Sequence, residues 1–231
     1  MKTTGTQPDL EILFEDNHLI AVVKPNGLLS QEDITGEPDV LSLCKNYLKK
    51  EYNKPGNVYL GLLHRLDKPV SGVMLLAKTS KAASRISEQI RKRKVKKSYL
   101  AVVSGITPAN GILTHYLLKD KSTNKVKIVH SEIKGAKKAE LIYHTIETSQ
   151  GLSLLKISLI TGRAHQIRVQ LSEEGFPILG DHKYGDGKFD EIALHAHIFE
   201  VEHPTLKKPI IFESKPPRNT SWAHFSKSNI L

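Results

Sequence analysis

His64-Arg65-Leu66-Asp67-Lys68-Pro69-Val70-Ser71-Gly72 is a polar stretch set between two apolar runs, residues 60–63 and 73–77, and both runs read as β-strands. Proline and glycine near its end mark the nine residues as a loop between core elements. The loop gathers a carboxylate, a guanidinium, an imidazole and a hydroxyl, and loops held by rigid elements often carry catalytic groups. On spacing alone, a solvated loop with an Arg65–Asp67 ion pair is the plainer reading.

Upstream, Glu11–Glu15 and residues 19–23 form a β-hairpin around Asp16-Asn17, and Pro25-Asn26-Gly27 ends the second strand. Asp39 is placed to cap a helix carrying Leu41, Cys44 and Leu48 at helical spacing. Downstream, Thr79 or Ser80 caps a second helix with Ala83, Ile86 and Ile90 on one face. Its end runs into Arg91-Lys92-Arg93-Lys94-Val95-Lys96-Lys97, cations that suit a helix C-terminus. Residues 100–103, 112–117, 126–129, 139–146 and Leu152–Leu159 are β-rich segments separated by turns. Thr161-Gly162 breaks the last of them, and residues 164–171 fit a short helix. Strands at residues 195–201 and 210–212 precede a polar tail. No internal repeat, low-complexity block or interdomain linker interrupts this order. The order is one of many strands and few helices after a short polar lead-in, and the length fits one large domain or two small ones.

The 231 residues, 39% of them hydrophobic, suffice for a sizeable core. Lys and Arg number 34 against 24 Asp and Glu, a formal charge of +10 that favours a polyanionic partner without naming one. The single cysteine, Cys44, excludes an internal disulfide and a cysteine-rich zinc site, and a reducing cytoplasm is the expected compartment. Residues 1–9 lack the apolar core of a signal peptide, and no later run is long and apolar enough to span a bilayer.

A second concentration of polar groups is Thr161-Gly162-Arg163-Ala164-His165-Gln166-Ile167-Arg168, where a strand turns into a helix. Exposed N–H groups at such a start favour an anion, with Arg163, His165 and Arg168 beside them, although an ordinary exposed helix start fits equally. Neither stretch matches a phosphate loop or a nucleophile-elbow serine. His195 and His197 share one side of a strand but no HExxH pattern accompanies them, and no metal is expected. The run Lys92 to Lys97 reads as a solvated helix end. Two residues after its end comes Tyr99, and basic groups beside an aromatic are a frequent RNA-binding combination.

The His64–Gly72 stretch resembles the HRLDxxTSG signature of RluA-type pseudouridine synthases, and Ala77-Lys78 continues that pattern. In the family's order it is joined by Val23-Lys24-Pro25-Asn26-Gly27, Lys97-Ser98-Tyr99-Leu100-Ala101, the run from Leu159 to Arg168, and Gly180-Asp181-His182-Lys183-Tyr184-Gly185. Leu194-His195-Ala196 and His203-Pro204 fit late in the chain, so the resemblance covers nearly its whole length. It implies an α+β pseudouridine synthase fold, a bent, mixed, largely antiparallel sheet with flanking helices and a central cleft, with residues 1–10 a polar lead-in and residues 11–231 a single catalytic domain. It also implies conversion of uridine to pseudouridine in RNA. Residue by residue, it implies Asp67 as the catalytic aspartate, Tyr99 as the tyrosine against the uracil ring, Arg168 as the cation paired with the aspartate, and Arg65 as the group that fills the space of a flipped base. RNA contacts are expected from His64, Arg65, Leu66, Lys92, Arg93, Lys97, Thr161, Gly162, Arg163, His165 and Gln166. Val70 departs from the family's threonine. No separate N-terminal RNA-binding domain is expected.

The implied reaction breaks the bond from ribose to uracil N1, turns the base and rejoins it through C5, so no cofactor is required. An ionised carboxylate can attack the ribose, attack the uracil or remove a sugar proton. A stacked uridine must first leave the stack, at roughly a few kcal/mol. Expected partners are RNA, with large-subunit ribosomal RNA preferred and transfer RNA second, with no membrane and no obligatory protein partner for a monomer. The rival is a non-catalytic RNA-binding protein on the same fold, which would not need Asp67. A metal-dependent RNA hydrolase would need a ligand cluster that the sequence does not offer.

Overall fold

The computed structural model describes residues 10–120 and 122–225. The lead-in expected over residues 1–10 lies outside the described residues apart from Leu10, which packs against the core. In chain order the elements are β1 (Glu11–Glu15), β2 (Leu19–Lys24), α1 (Val40–Glu51), β3 (Gly61–Leu62), β4 (Ser71–Ala77), α2 (Ser80–Arg91), β5 (Lys96–Ser104) and β6 (Asn110–Asp120). They continue with β7 (Lys125–Val129), β8 (Lys137–Ser149), β9 (Leu152–Leu159), α3 (Gln166–Glu173), β10 (Leu194–Glu202), β11 (Pro209–Glu213) and a 3-10 helix (Thr220–Phe225). The strands form one sheet in the order β1-β2-β4-β10-β5-β9-β8-β6-β7, with β3 on β4 and β11 on β10. Among the strand pairings of the described residues only β4–β10 is parallel, so the expected mixed, largely antiparallel α+β fold is what the chain adopts.

Local chemistry sets the early elements. The Asp16 carboxylate accepts the N–H groups of His18 and Leu19 at 2.8 and 2.7 Å, closing the β1–β2 turn. Asp39 caps α1 by accepting from the Ser42 amide at 3.0 Å, and Thr79 caps α2 by accepting from Ala82 at 3.2 Å. Alternation along β2 and β4 sends Ile20, Val22, Met74 and Leu76 into one core with Val40, Cys44 and Leu48 of α1. Their neighbours Leu19, Ala21, Val73 and Leu75 meet Ile86 of α2 and Phe199 on the other face. Every residue of β4 is therefore buried, which accounts for its unbroken apolar run. A smaller cluster joins Val169 of α3 to Leu117, Val126 and Ala139.

The parallel contact of β4 with β10 pairs only Ser71 with His195 and Gly72 with Ala196. At Gly72 φ is +120°, and a Cβ there would sit 2.3 Å from the Ala196 carbonyl oxygen, so only glycine fits. The loop from His64 to Val70 fills the connection between β3 and this junction.

Several expectations shift. The apolar run 60–63 contributes only the two residues of β3, because β10 occupies the same edge of β4. Ser71 and Gly72, expected in the loop, already belong to β4. The basic run is not one helix end: α2 stops at Arg91, Arg93 turns the chain with φ +55°, and Lys96 and Lys97 are strand residues paired with Glu200 and Phe199. Ala82 rather than Ala83 lies fully inside α2's buried face. Helix α3 begins two residues late, since His165 takes a left-handed φ of +50°. The chain after β11 is not merely polar; Trp222 and Phe225 of the 3-10 helix are 3% and 1% exposed and pack on the main core.

Candidate active site

Asp67 sits at the start of a turn closed by the Val70 amide, which donates to the Asp67 carbonyl at 2.9 Å. Its carboxylate is 26% exposed at the floor of a cleft of about 1060 Å³, larger than most small-molecule pockets. One carboxylate oxygen accepts from Arg168 Nη1 at 3.1 Å, and His165 Nε2 stands 4.0 Å from the other. Asp67 and Arg168 are 101 residues apart in sequence. The ion pair that the bare loop suggested with Arg65 does not form; Asp67's partner is Arg168, and Arg65 stays exposed on the cleft wall.

Arg168 is itself gripped from behind. Its Nε and Nη2 donate to the two carboxylate oxygens of Asp181 at 2.8 and 2.7 Å, a bidentate pair in which Asp181 is 1% exposed. The Lys183 and Tyr184 amides also donate to Asp181, at 2.9 and 3.1 Å. Burial works against both charges. The hydrogen bonds and attraction within the pair outweigh it, holding Asp181 below the usual carboxylate range and raising Arg168 further above neutrality. The Tyr184 ring lies 5.3 Å from the guanidinium carbon, and its hydroxyl accepts from the Val126 amide at 2.8 Å. That hydroxyl lies 2.6 Å from His165 Nδ1, free to donate to it and leave the Nε2 proton facing Asp67. Burial depresses the His165 pKa, more than Asp67 restores it, so the ring is held neutral.

Tyr99, on β5, lines the same cleft and is 8% exposed. Burial, reinforced by the negative charge of Asp67, pushes its hydroxyl pKa up and keeps it a phenol. It presents a ring and a neutral hydroxyl beside an anionic carboxylate.

The other expected contacts divide. Arg65, Arg93, Gly162 and Arg163 are exposed on the cleft walls, where Arg163 also donates from Nε to the Lys138 carbonyl at 3.0 Å. Lys97 lines the cleft half-buried, its ammonium 5.3 Å from the Phe199 ring centre and its pKa lowered by burial to about 8. His64 is also at the wall, but its Nε2 accepts from the Leu75 amide at 3.0 Å and its ring stacks on Phe199 at 4.4 Å. Burial, then the Lys97 charge, holds that ring neutral, and it fastens the loop to β4. Leu66 is a core residue. Thr161 reaches the wall, while its hydroxyl donates to Gln166 Oε1 at 2.8 Å. Gln166 is buried away from the cleft, accepting from the Arg163 amide and donating to the Glu140 carbonyl, both at 3.0 Å. The anion-binding amides expected at this helix start are thus partly satisfied internally. Lys92 pairs with Glu88 outside the cleft.

Residues not singled out by their chemistry complete the site. Asp181 lies in the Gly180–Gly185 run, yet nothing local in that run marks it as the partner of Arg168. Lys24 is fully buried, with Nζ donating to the Pro25 and Lys68 carbonyls, each at 2.9 Å. Burial lowers its pKa to about 7, partly countered by Asp67. Lys119, Lys125 and Lys183 add further positive charge to the cleft lining. Val70 is 2% exposed in the main core, so its methyls pack where a threonine hydroxyl would sit. His195 and His197 are engaged by Ser71 and the Ser214 carbonyl, and no group of three metal-ligating side chains occurs among the described residues.

The family model for RNA pseudouridylate synthase matches residues 18–173. The chain is 34% identical over 212 residues to the ribosomal large subunit pseudouridine synthase C of Buchnera aphidicola subsp. Baizongia pistaciae, covering 87% of this chain and 65% of that protein. It is 34% identical to the protein of the same name from Pasteurella multocida, covering 86% and 62%. It thus spans somewhat less than two thirds of the length of these curated relatives. Among solved structures, human RNA pseudouridylate synthase domain containing 4 is similar, with a TM-score of 0.76, 26% identity, and coverage of 90% of this chain and 89% of that one. The matched segment contains Asp67, Tyr99 and Arg168, and this chain belongs to the RNA pseudouridylate synthase family, in its RluA-type group.

Proposed function

We propose that this protein is an isomerase that converts specific uridines in RNA to pseudouridine, with Asp67 as the group acting at the sugar–base bond. The observation that carries the reading is the Asp67–Arg168–Asp181 chain at the floor of a basic cleft, beside a buried tyrosine. The Arg168 guanidinium attracts and orients the Asp67 charge without competing for substrate phosphate, because Asp181 holds its other edge.

In the reaction, the N1–C1′ bond breaks and a C5–C1′ bond forms. The hydrogen on C5 leaves to solvent and N1 acquires one, so the product is an isomer and no redox partner is involved. Tyr99 offers a ring face for the uracil, and Arg65, which also lines the cleft, fills the space the base leaves in the stack. Arg93, Arg163, Lys119 and Lys125 hold the phosphates on either side.

The names of the bacterial relatives support large-subunit ribosomal RNA as the substrate; transfer RNA is the second class proposed. The reading takes residues 11–231 as one catalytic unit acting in the cytoplasm as a monomer without an obligatory protein partner. The non-catalytic alternative gives no reason to support one carboxylate with a buried arginine and a second, more deeply buried carboxylate. Purified protein incubated with transcripts labelled with tritium at uracil C5 tests the activity. Tritium released to water by wild type, and not by Asp67→Asn at equal RNA binding, supports it; equal release by both overturns it.

A further inference from the structure

Asp67 is a loop residue, yet the backbone of the residue on each side of it is held by one distant segment, residues 24–30. The Leu66 amide donates to Ser30 Oγ at 3.0 Å, and the same hydroxyl donates back to the Leu66 carbonyl at 2.7 Å. On the other side, the Lys68 carbonyl accepts from Lys24 Nζ at 2.9 Å and from the Gly27 amide at 3.0 Å. Ser30 is 6% exposed and Lys24 0% exposed. The serine hydroxyl imitates a backbone group, completing a two-bond pairing with residue 66 as an extended strand would. The lysine is the more telling component. Burying an ammonium is costly, and an apolar side chain would fill the space at lower free energy if packing alone were required. Its hydrogen bonds run to the carbonyl next to the carboxylate-bearing residue and to its own neighbour Pro25.

We infer that Ser30 and Lys24 are positioning residues that clamp the Asp67 backbone and thereby aim its carboxylate. The inference rests on the isomerase reading above. With residues 66 and 68 fixed, the Asp67 side chain has only its own torsions left, and Arg168 settles those through one oxygen. Neither Ser30 nor Lys24 needs to touch RNA for this, and the catalytic contribution passes entirely through Asp67.

The test uses Ser30→Ala, which removes both bonds to Leu66, Ser30→Thr, which retains a hydroxyl, and Lys24→Met, which keeps the stem without the ammonium. Single-turnover isomerisation, RNA affinity, thermal midpoint and hydrogen exchange of peptides spanning residues 64–70 are measured on each full-length protein. For Ser30→Ala the isomerisation rate is expected to fall roughly 10- to 100-fold while RNA affinity stays within about twofold, because misplacing a reacting group costs rate before it costs binding. Exchange in the loop should quicken, and Ser30→Thr should recover most of the rate. Lys24→Met should fall in the same manner, its residual rate referred to the folded fraction. Loosened exchange with an unchanged rate in Ser30→Ala overturns the inference, as does a loss matched by weaker RNA binding or by unfolding. If wild type itself forms no pseudouridine, the isomerase reading fails and takes this inference with it; if wild type is active and Ser30→Ala equals it, only the clamp fails.

Discussion

Asp181→Asn should damage both stability and turnover, although Asp181 need not contact substrate. The Asp181 carboxylate accepts four N–H groups. Three converge on Oδ1, from Arg168 Nη2, Lys183 and Tyr184, and one meets Oδ2, from Arg168 Nε at 2.8 Å. Asparagine has one acceptor oxygen. Keeping it on the three-donor side turns its amide hydrogens against Arg168 Nε–H, and the flipped arrangement sets them against three donors instead. Either way a charge-assisted bond becomes a donor–donor contact, and a buried guanidinium is left with Asp67 as its sole carboxylate. Breaking a buried pair on one side costs about 3–5 kcal/mol. At roughly 2–4 °C per kcal/mol for a chain of this size, the melting temperature should fall by about 6–20 °C. Arg168, no longer fixed in plane, ceases to aim Asp67, and kcat should drop by roughly 100-fold with a smaller change in RNA affinity. Urea unfolding, a thermal scan and tritium release at C5 read these quantities. A variant within about 1 kcal/mol of wild type and equally active would refute the view that Asp181 holds Arg168 in place.

Tyr99→Leu removes the ring and should cost about 1–3 kcal/mol in capture of the target base, visible in kcat/KM, while Tyr99→Phe retains most of it. Val70→Thr places a hydroxyl in a site only 2% exposed and should lower stability by roughly 1–3 kcal/mol without changing kcat, read from the urea midpoint at unchanged slope. His195, buried and held neutral down to about 4, makes stability fall with acid. The unfolded chain takes up this proton near pH 6.5 and the folded one only near 4, so the unfolded state binds more protons in between. Stability should therefore decline by about 3 kcal/mol from this group as pH drops from 6.5 to about 4, and His195→Gln should flatten that slope. RNA affinity should weaken steeply with salt, and Arg163→Ala or Arg93→Ala should reduce the slope of log K against log salt by about 1 each, across unrelated sequences.

The parts of this protein written in local chemistry are legible in the sequence itself. The Asp39 and Thr79 caps, the Asp16 turn and the apolar runs of β2, β4 and β9 follow from residue types a few positions apart, and the folded elements begin close to where those signals lie. The resemblance points to Asp67, Tyr99 and Arg168 together, and folding gathers them in one cleft. What is not legible depends on partners far along the chain. Lys96 and Lys97 look like a helix end until β10 and β9 pair with β5. Gln166 looks like a ligand of RNA until the carbonyl of Glu140, in β8, is brought against it. Lys24 enters the sequence reading only as part of the Val23–Gly27 motif, and the folded chain closes the core over it. Nothing near Asp181 or Ser30 in sequence marks either of them, because their work is done on residues 13 and 36 positions away.

The role assigned to Asp67 is tested most directly by mass-spectrometric mapping of pseudouridine in total RNA from cells lacking this gene, complemented with wild type or Asp67→Asn. The expected result is that particular pseudouridines disappear on deletion, return with wild type, and stay absent with Asp67→Asn expressed at the same level. Restoration of the same pseudouridines by Asp67→Asn, or a map that does not change on deletion, would contradict it.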